Sequence, residues 1–225
     1  IAIPMVVGLG ALCGLFSGVL IAFFRLPAFV ITLAMMTAAR GFALILSNGQ
    51  PIMPGDAGKP LQSFGTSFSL GVPNPALLMI ACFAVAFIFL NFSRFGRLIK
   101  AIGSNEEAVR LSGISVSWYV MSGYVISGAL AAVAGILVTS RSGVRAASGG
   151  SGNELDVIAA GVIGGASLMG GVGGVINTFI GVLILGLIGN IMILAGVPGY
   201  HQQVYLGVII VIAVLIQNGS TLFRR

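Results

Sequence analysis

"WYVMSGYVISGALAAVAGILVTS", residues 118–140, is a continuous run without a single charged side chain. A helix of this length rises about 35 Å, enough to cross the roughly 30 Å hydrocarbon core of a bilayer. Further long apolar runs lie on both sides of it in the chain. They cover residues 3–24, 27–46, 76–92, 176–194 and 204–216. The sequence therefore predicts several helices that cross a membrane.

The composition of the chain supports the same fold class. Charged residues make up 7% of the 225 and hydrophobic residues 57%, whereas soluble domains have about a quarter charged residues. The alternation of apolar and polar residues that is typical of membrane barrels is absent from these runs. We therefore predict an all-α, polytopic transmembrane helical bundle. The net charge of +6 does not indicate a nucleic-acid partner, because the basic residues are scattered between the spans.

A Gly-rich segment, "ELDVIAAGVIGGASLMGGVGG" at residues 154–174, decides how many times the chain crosses. Basic residues collect on the cytoplasmic side of membrane proteins. The basic groups at residues 94–110 and 224–225 share that side only if the Gly-rich segment also crosses. We therefore predict about seven crossings, one of them short and rich in glycine.

This topology sorts the basic residues by side of the membrane. The predicted cytoplasmic residues are Arg25, Arg94, Arg97, Lys100, Arg110, Arg224 and Arg225. The predicted outer residues are Lys59, Arg141 and Arg145. Residue Ile1 then lies outside, so an odd number of missing spans would give a longer chain a cytoplasmic N-terminus.

A short polar segment, "AIGSNEEAVRLSGISVS" at residues 101–117, separates two of the spans. Ser104 and Glu107 have the S-x-x-E spacing of a capping box, which satisfies backbone N–H groups at a helix start. Gly113 is predicted to end the helix in the left-handed conformation. A helix of about two turns is unstable alone in water, so it must pack on the bundle, on a partner, or on both. We favour docking to a soluble partner over a solvated connector.

The same segment resembles a known family. "GSNEEAVRLSGIS" is similar to the cytoplasmic coupling segment of ribose-type sugar permeases, the membrane subunits of ATP-binding-cassette importers. Three other stretches resemble that family in the same order, at residues 26–52, 154–174 and 200–216. The resemblance implies one transmembrane permease domain over residues 1–225, with residues 101–117 as the coupling segment. It also implies that about three N-terminal spans are missing, an odd number as the topology requires.

The resemblance implies a function and a set of partners. The chain would be the permease subunit that moves a ribose-like monosaccharide into the cell across the bacterial cytoplasmic (inner) membrane. Its expected partners are an ATP-binding-cassette subunit, a periplasmic or extracellular sugar-binding protein, a second permease copy or paralogue, and membrane lipid. ATP and Mg²⁺ would bind on the ATPase subunit, and no cofactor or catalytic residue is expected here. The implied partner-contact residues are Ser104, Asn105, Glu106, Glu107 and Arg110. One departure is Asn153, where members of the family often have an aromatic residue.

Three polar residues within spans are candidates for the translocation path. Arg40 is an ionisable residue inside an apolar run, where such groups usually face a cavity or the bundle interior. It lies near the outer end of its span, so its side chain could equally snorkel to the interface. Asn177 and Asn190 lie in a later span, where hydrogen bonding between helices is the first interpretation and a sugar-path role the second.

Glu154 and Asp156 lie at the predicted outer mouth of the Gly-rich crossing. As a catalytic acid and base they would need a partner constellation, and the sequence offers none. Capping of the next helix, or pairing with Arg141 and Arg145, is the favoured interpretation. Contact with a docked binding protein is implied only by the family resemblance.

Three other features of the chain have simple structural explanations. The Gly-rich run has no Lys-Ser or Lys-Thr, so it is not a phosphate-binding P-loop. Cys13 and Cys82 are predicted to be small buried hydrophobic residues rather than metal ligands. His201 is predicted to lie in a short outer turn, with a surface role rather than metal binding.

Three rival functions follow from the same residues. A branched-chain amino-acid permease has similar Gly-rich and cytoplasmic segments. An ion-driven secondary transporter would need carboxylates near the membrane midplane, whereas all five acids fall in loops or at span ends. An intramembrane enzyme would need a nucleophile or a metal set within the spans, and none is visible.

Overall fold

The computed structural model describes residues 2–53, 55, 58–69, 71–144, 146, 149–167 and 170–222. The described part contains ten α-helices and one two-stranded antiparallel hairpin. The helices are α1 Ala2–Ala22, α2 Ala28–Leu46, α3 Lys59–Thr66, α4 Asn74–Phe92, α5 Arg94–Ser104, α6 Glu106–Leu111, α7 Val116–Ser142, α8 Asn153–Ile163, α9 Val175–Leu194 and α10 Gly199–Leu222. The strands are β1 Phe68–Ser69 and β2 Val72–Pro73. The predicted all-α class is confirmed.

Five of these helices are long and apolar enough to cross a membrane: α1, α2, α4, α7 and α9. Each begins and ends within two residues of a span predicted from the sequence. The sixth predicted span lies within α10, whose apolar part is Gly199–Ala213. Helix α8 has 11 residues and rises about 16 Å, roughly half of the hydrocarbon core. The count of seven crossings therefore stays a prediction.

The chain between α2 and α4 is more regular than a loop. Helix α3 begins at Lys59 with Pro60 in its first turn, where the missing N–H of proline costs no helical hydrogen bond. The hairpin follows, with Phe68 opposite Pro73 and Ser69 opposite Val72. Sequence reasoning misses both elements, because the segment is rich in Gly, Pro and Ser. Of the residues used for the topology, Ile1, Arg145, Arg224 and Arg225 lie outside the described part of the chain.

The chain is organised as two compact units, each built from two separate stretches of sequence. Unit 1 comprises Ile1–Ala81 and Val109–Gly150, and unit 2 comprises Cys82–Ala108 and Ser151–Arg225. The sequence does not predict this division. The single permease domain inferred from the family resemblance stays a prediction.

In unit 1, α1 packs closely along α7. A Cβ atom on Gly14 would overlap the carbonyl oxygen of Tyr124, and one on Gly10 would lie 2.5 Å from the carbonyl oxygen of Gly128. Glycines at every fourth position let two backbones approach, as in membrane helix pairs generally. Cys13 lies beside this glycine face and is exposed, so the prediction that it is buried is wrong. The reason is that α7 covers only one face of α1.

In unit 2, α8, α9 and α10 pack around a small core. Ala159 is fully buried, and Ala160 and Leu185 are buried beside it. A Cβ atom on Gly181 of α9 would overlap the carbonyl oxygen of Ala160. The short helix α8 is therefore held against α9 by small residues rather than by large apolar side chains. Cys82, at the start of the same unit, is half-buried on α4.

Candidate functional site

One residue separates helix α5 from the end of span α4. Ser93 caps its first turn, because the Ser93 hydroxyl oxygen accepts a hydrogen bond from the Gly96 N–H at 3.0 Å. A Cβ atom on Gly96 would overlap the backbone of Leu90. The ring of Phe95 packs on that of Phe89, with ring centroids 5.1 Å apart. The α4–α5 corner is thus fixed by a cap, a close backbone approach and a ring contact.

One residue, Asn105, joins α5 to α6. Its N–H donates to the carbonyl oxygen of Ala101 at 3.0 Å, and its Oδ1 accepts from the N–H of Ala108 at 3.0 Å. It is therefore the C-cap of α5 and the N-cap of α6. The predicted capping box starting at Ser104 is wrong by one residue. Ser104 remains in the last turn of α5, where its hydroxyl donates to the carbonyl oxygen of Lys100 at 3.1 Å.

Helix α6 has the charge distribution that suits its backbone dipole. Glu106 and Glu107 lie in its first turn and Arg110 in its last turn. Gly113 follows with a φ of +81°, and its N–H donates to the Arg110 carbonyl oxygen at 3.0 Å. The predicted two-turn helix with a left-handed glycine stop is confirmed. Leu111, at the end of α6, is 79% exposed.

All the predicted partner-contact residues lie together in this short stretch. They are Ser104, Asn105, Glu106, Glu107 and Arg110, and each is exposed. They follow one another closely along the chain, and we call this exposed stretch the α5–α6 surface. Their contact with a partner stays a prediction.

A close contact links the end of α5 to the Gly-rich segment of unit 2. A Cβ atom on Gly103 would lie 2.6 Å from the backbone nitrogen of Gly171, and one on Gly171 would lie 2.8 Å from Ser104 Oγ. Gly170 and Gly171 also have φ values of +91° and +76°, which side chains rarely adopt. We call this the glycine contact. Sequence reasoning misses it, although the glycine pairs in the Gly-rich segment are visible in the sequence.

The glycine contact bears on the topology. The Gly-rich segment begins near Glu154, which is predicted to lie outside, and it reaches Ser104, which is predicted to be cytoplasmic. A segment with ends on these two sides would cross the membrane, and that crossing stays a prediction. Its described residues combine the half-length helix α8 with irregular backbone at residues 164–167 and 170–174. Irregular backbone is tolerated at membrane depth only where protein or a water-filled path surrounds it.

At the start of α8, Glu154 performs the predicted capping role. Its Oε2 accepts a hydrogen bond from the N–H of Gly152 at 3.0 Å. Asp156 is exposed in the same first turn, and both carboxylates suit the positive end of the helix dipole. The alternative partner Arg145 lies outside the described residues. The position of these acids at an outer mouth stays a prediction.

The three candidate path residues do not lie on one helix. Arg40 is half-buried on α2 in unit 1. Asn177 and Asn190 are both exposed on α9, and a separation of 13 positions puts them on different faces of that helix. Their roles in a translocation path stay predictions.

Within the described residues, no group of three or more His, Cys, Asp or Glu side chains is arranged to hold a metal ion. His201 lies in the first turn of α10 rather than in a separate turn, and its ring is 4.5 Å from that of Tyr200.

These features define a multi-pass α-helical membrane protein with a polar helix pair between two apolar spans. The family model described as "Branched-chain amino acid transport system / permease component" matches residues 1–214. The chain therefore belongs to this family of transport permeases, and its similarities within the family are to sugar permeases of the ribose type.

Three relatives illustrate the similarity. The ribose import permease protein RbsC of Haemophilus influenzae is 41% identical over 220 residues, which is 97% of this chain and 68% of the relative. The probable ABC transporter permease protein YphD of Escherichia coli is 44% identical over 192 residues, 85% of this chain and 57% of the relative. The L-arabinose transport system permease protein AraH of Escherichia coli is 39% identical over 209 residues, 93% of this chain and 63% of the relative. No solved structure matches the chain.

Proposed function

We propose that this chain is the transmembrane permease subunit of an ATP-binding-cassette importer that moves a ribose-like monosaccharide into the cell. It acts in the bacterial cytoplasmic membrane, beside a second permease copy or a paralogue. A sugar-binding protein outside the membrane delivers the substrate. ATP and Mg²⁺ bind on a separate ATPase subunit, and this chain carries out no chemical step.

The glycine contact is the structural observation that supports this proposal best. It joins the exposed α5–α6 surface to the only described segment that combines a half-length helix with irregular backbone at predicted membrane depth. In the proposed mechanism, the ATPase subunit binds the α5–α6 surface and displaces α5. Because Gly103 and Gly171 are in backbone contact, the displacement reaches the Gly-rich segment without passing through flexible side chains.

The names of the relatives support the choice of substrate. A ribose import permease and an L-arabinose transport permease are both named for pentoses, so a pentose is the first substrate to test. The description of the family model favours branched-chain amino acids as a second candidate. An ion-driven transporter is the third possibility and requires no ATPase subunit.

The first test compares two triple variants of the tagged chain, purified in mild detergent from its native membrane. One is Glu106→Ala/Glu107→Ala/Arg110→Ala on α6. The matched control is Glu154→Ala/Asp156→Ala/Arg141→Ala, which also removes two acids and one base but on the predicted outer side. We expect the parent and the control to co-purify with a protein that hydrolyses ATP, and the α6 variant to fold but purify without it.

Uptake into membrane vesicles then identifies the substrate. Labelled ribose should enter only with ATP and an external binding protein, and labelled leucine should not enter. Uptake of leucine instead would replace the substrate in the proposal. Uptake that continues without ATP and stops with an ionophore would overturn the importer mechanism itself.

A further inference from the structure

Helix α5 has three distinct faces. The glycine face contains Gly96 and Gly103, which approach Leu90 and Gly171 closely. The apolar face contains Phe95, Leu98, Ile99 and Ile102, all of them buried or half-buried. The third face contains Arg94, Arg97 and Lys100, spaced three residues apart. We call it the cationic face.

The hydrogen bonds of the cationic face go to uncharged acceptors. The Arg97 guanidinium donates to the carbonyl oxygen of Phe92 at 3.4 Å, and the Lys100 ammonium donates to Asn91 Oδ1 at 3.0 Å. Neither acceptor neutralises the charge of its donor. Arg94 and Arg97 are exposed, and Lys100 is half-buried, so the positive charge of this face is open to an anionic ligand.

These same contacts tie the cationic face to the end of α4. Asn91 and Phe92 form the last turn of α4, a 19-residue apolar helix. The Phe92 side chain is 72% exposed, at the end of the span where the hydrocarbon core gives way to the headgroups. We therefore expect cations that reach back to this turn to lie at the level of the lipid headgroups rather than in the aqueous loop.

We propose that the cationic face of α5 binds anionic phospholipid headgroups of the cytoplasmic leaflet. Amphipathic helices with basic polar faces bind anionic membrane surfaces in this way, and α5 is already held at the surface by the α4–α5 corner. Bound lipid holds the first part of α5 against the membrane, while the last turn of α5 makes the glycine contact. The proposal rests on the membrane insertion of α4 and does not depend on which substrate is transported.

The test measures lipid binding directly on the purified chain. Detergent-solubilised protein is titrated with phosphatidylglycerol and, separately, with phosphatidylcholine, and the bound lipids are counted by native mass spectrometry. The variant is Arg94→Gln/Arg97→Gln/Lys100→Gln. The control is Arg25→Gln/Lys59→Gln/Arg141→Gln, which loses the same three charges at other places along the chain. Circular dichroism checks that both variants remain folded.

We expect the parent and the control to prefer phosphatidylglycerol, and the preference to weaken in high salt. Each removed charge should weaken phosphatidylglycerol binding about fivefold, so the triple α5 variant should lose on the order of 100-fold. An α5 variant that keeps the preference would overturn the proposal. So would a variant that keeps the lipid but loses the ATPase subunit, because the cationic face would then dock that subunit.

The result of the lipid-binding experiment can be distinguished from the result of the test of the proposed function. Lipid counting needs neither substrate nor ATP, so a failed importer hypothesis leaves it interpretable. Conversely, a chain that ignores anionic lipid but transports ribose with ATP would refute only the lipid proposal.

Discussion

The α1–α7 pair in unit 1 and the glycine contact in unit 2 both form because glycine has no side chain. The two contacts differ in the regularity of the backbone that makes them. In the first, Gly10, Gly14 and Gly18 follow one helix face over successive turns, and each approaches the backbone of α7. In the second, the end of one helix approaches two glycines with positive φ. A contact spread over several turns of two regular helices cannot shift locally. A single contact on irregular backbone can, as hinges do.

The comparison predicts its largest effect on stability at Gly14. We expect Gly14→Ala to destabilise the chain by about 1–3 kcal/mol, because the new Cβ overlaps a backbone oxygen that cannot rotate away. The matched control is Gly8→Ala on the same helix, where a Cβ atom meets nothing within 4 Å. Alanine there should be neutral or stabilise by up to about 1 kcal/mol. Thermal unfolding in detergent measures both, and equal shifts would contradict the packing of α1 on α7.

The next largest effect should be on the coupling of sugar transport to ATP hydrolysis rather than on stability. Gly171 and Gly165 have the same φ of +76°, but only at Gly171 would a Cβ atom meet another group, Ser104. Gly171→Ala and Gly165→Ala should therefore share a backbone cost of about 1–2 kcal/mol. We expect Gly171→Ala alone to lower the sugar transported per ATP hydrolysed several-fold in the reconstituted complex. Equal coupling ratios in the two variants would show that the glycine contact does not transmit motion.

The two regions also show what sequence reasoning can reach. Five of the spans are predictable within two residues, because an apolar run of about 20 residues has few alternatives to a membrane helix. The spacing of Gly10, Gly14 and Gly18 on α1 is a packing signal that the sequence offers and that the span assignment does not use. The glycine contact is not predictable in the same way, because it pairs residues about 70 positions apart that share no periodic pattern.

Helix α5 escapes prediction for a different reason. Arg94, Arg97 and Lys100 read as a topology signal, which explains their sign but not their spacing of three. That spacing, with apolar residues between, is the pattern of an amphipathic helix. The amphipathic pattern is therefore present in the sequence. It is overlooked because the topology rule already explains the same charges.

The smallest predicted effect separates the two possible caps of α6. Both Ser104 and Asn105 are common N-cap residues, so the sequence alone does not choose between them. The structure assigns the role to Asn105, whose Oδ1 accepts from the Ala108 N–H. Asn105→Ala should therefore weaken the start of α6 by about 1 kcal/mol, which is about a fivefold increase in hydrogen exchange at the Ala108 amide.

Ser104→Ala is the matched control for this last experiment, since it removes a hydroxyl that donates within α5. It should leave exchange at Ala108 unchanged, because the Ala108 amide is capped by Asn105 in the assigned geometry. Faster exchange at the Glu107 amide in Ser104→Ala would instead restore the capping box predicted from the sequence. It would also move the junction between α5 and α6 by one residue. The residues through which the α5–α6 surface is proposed to act on the Gly-rich segment would then change as well.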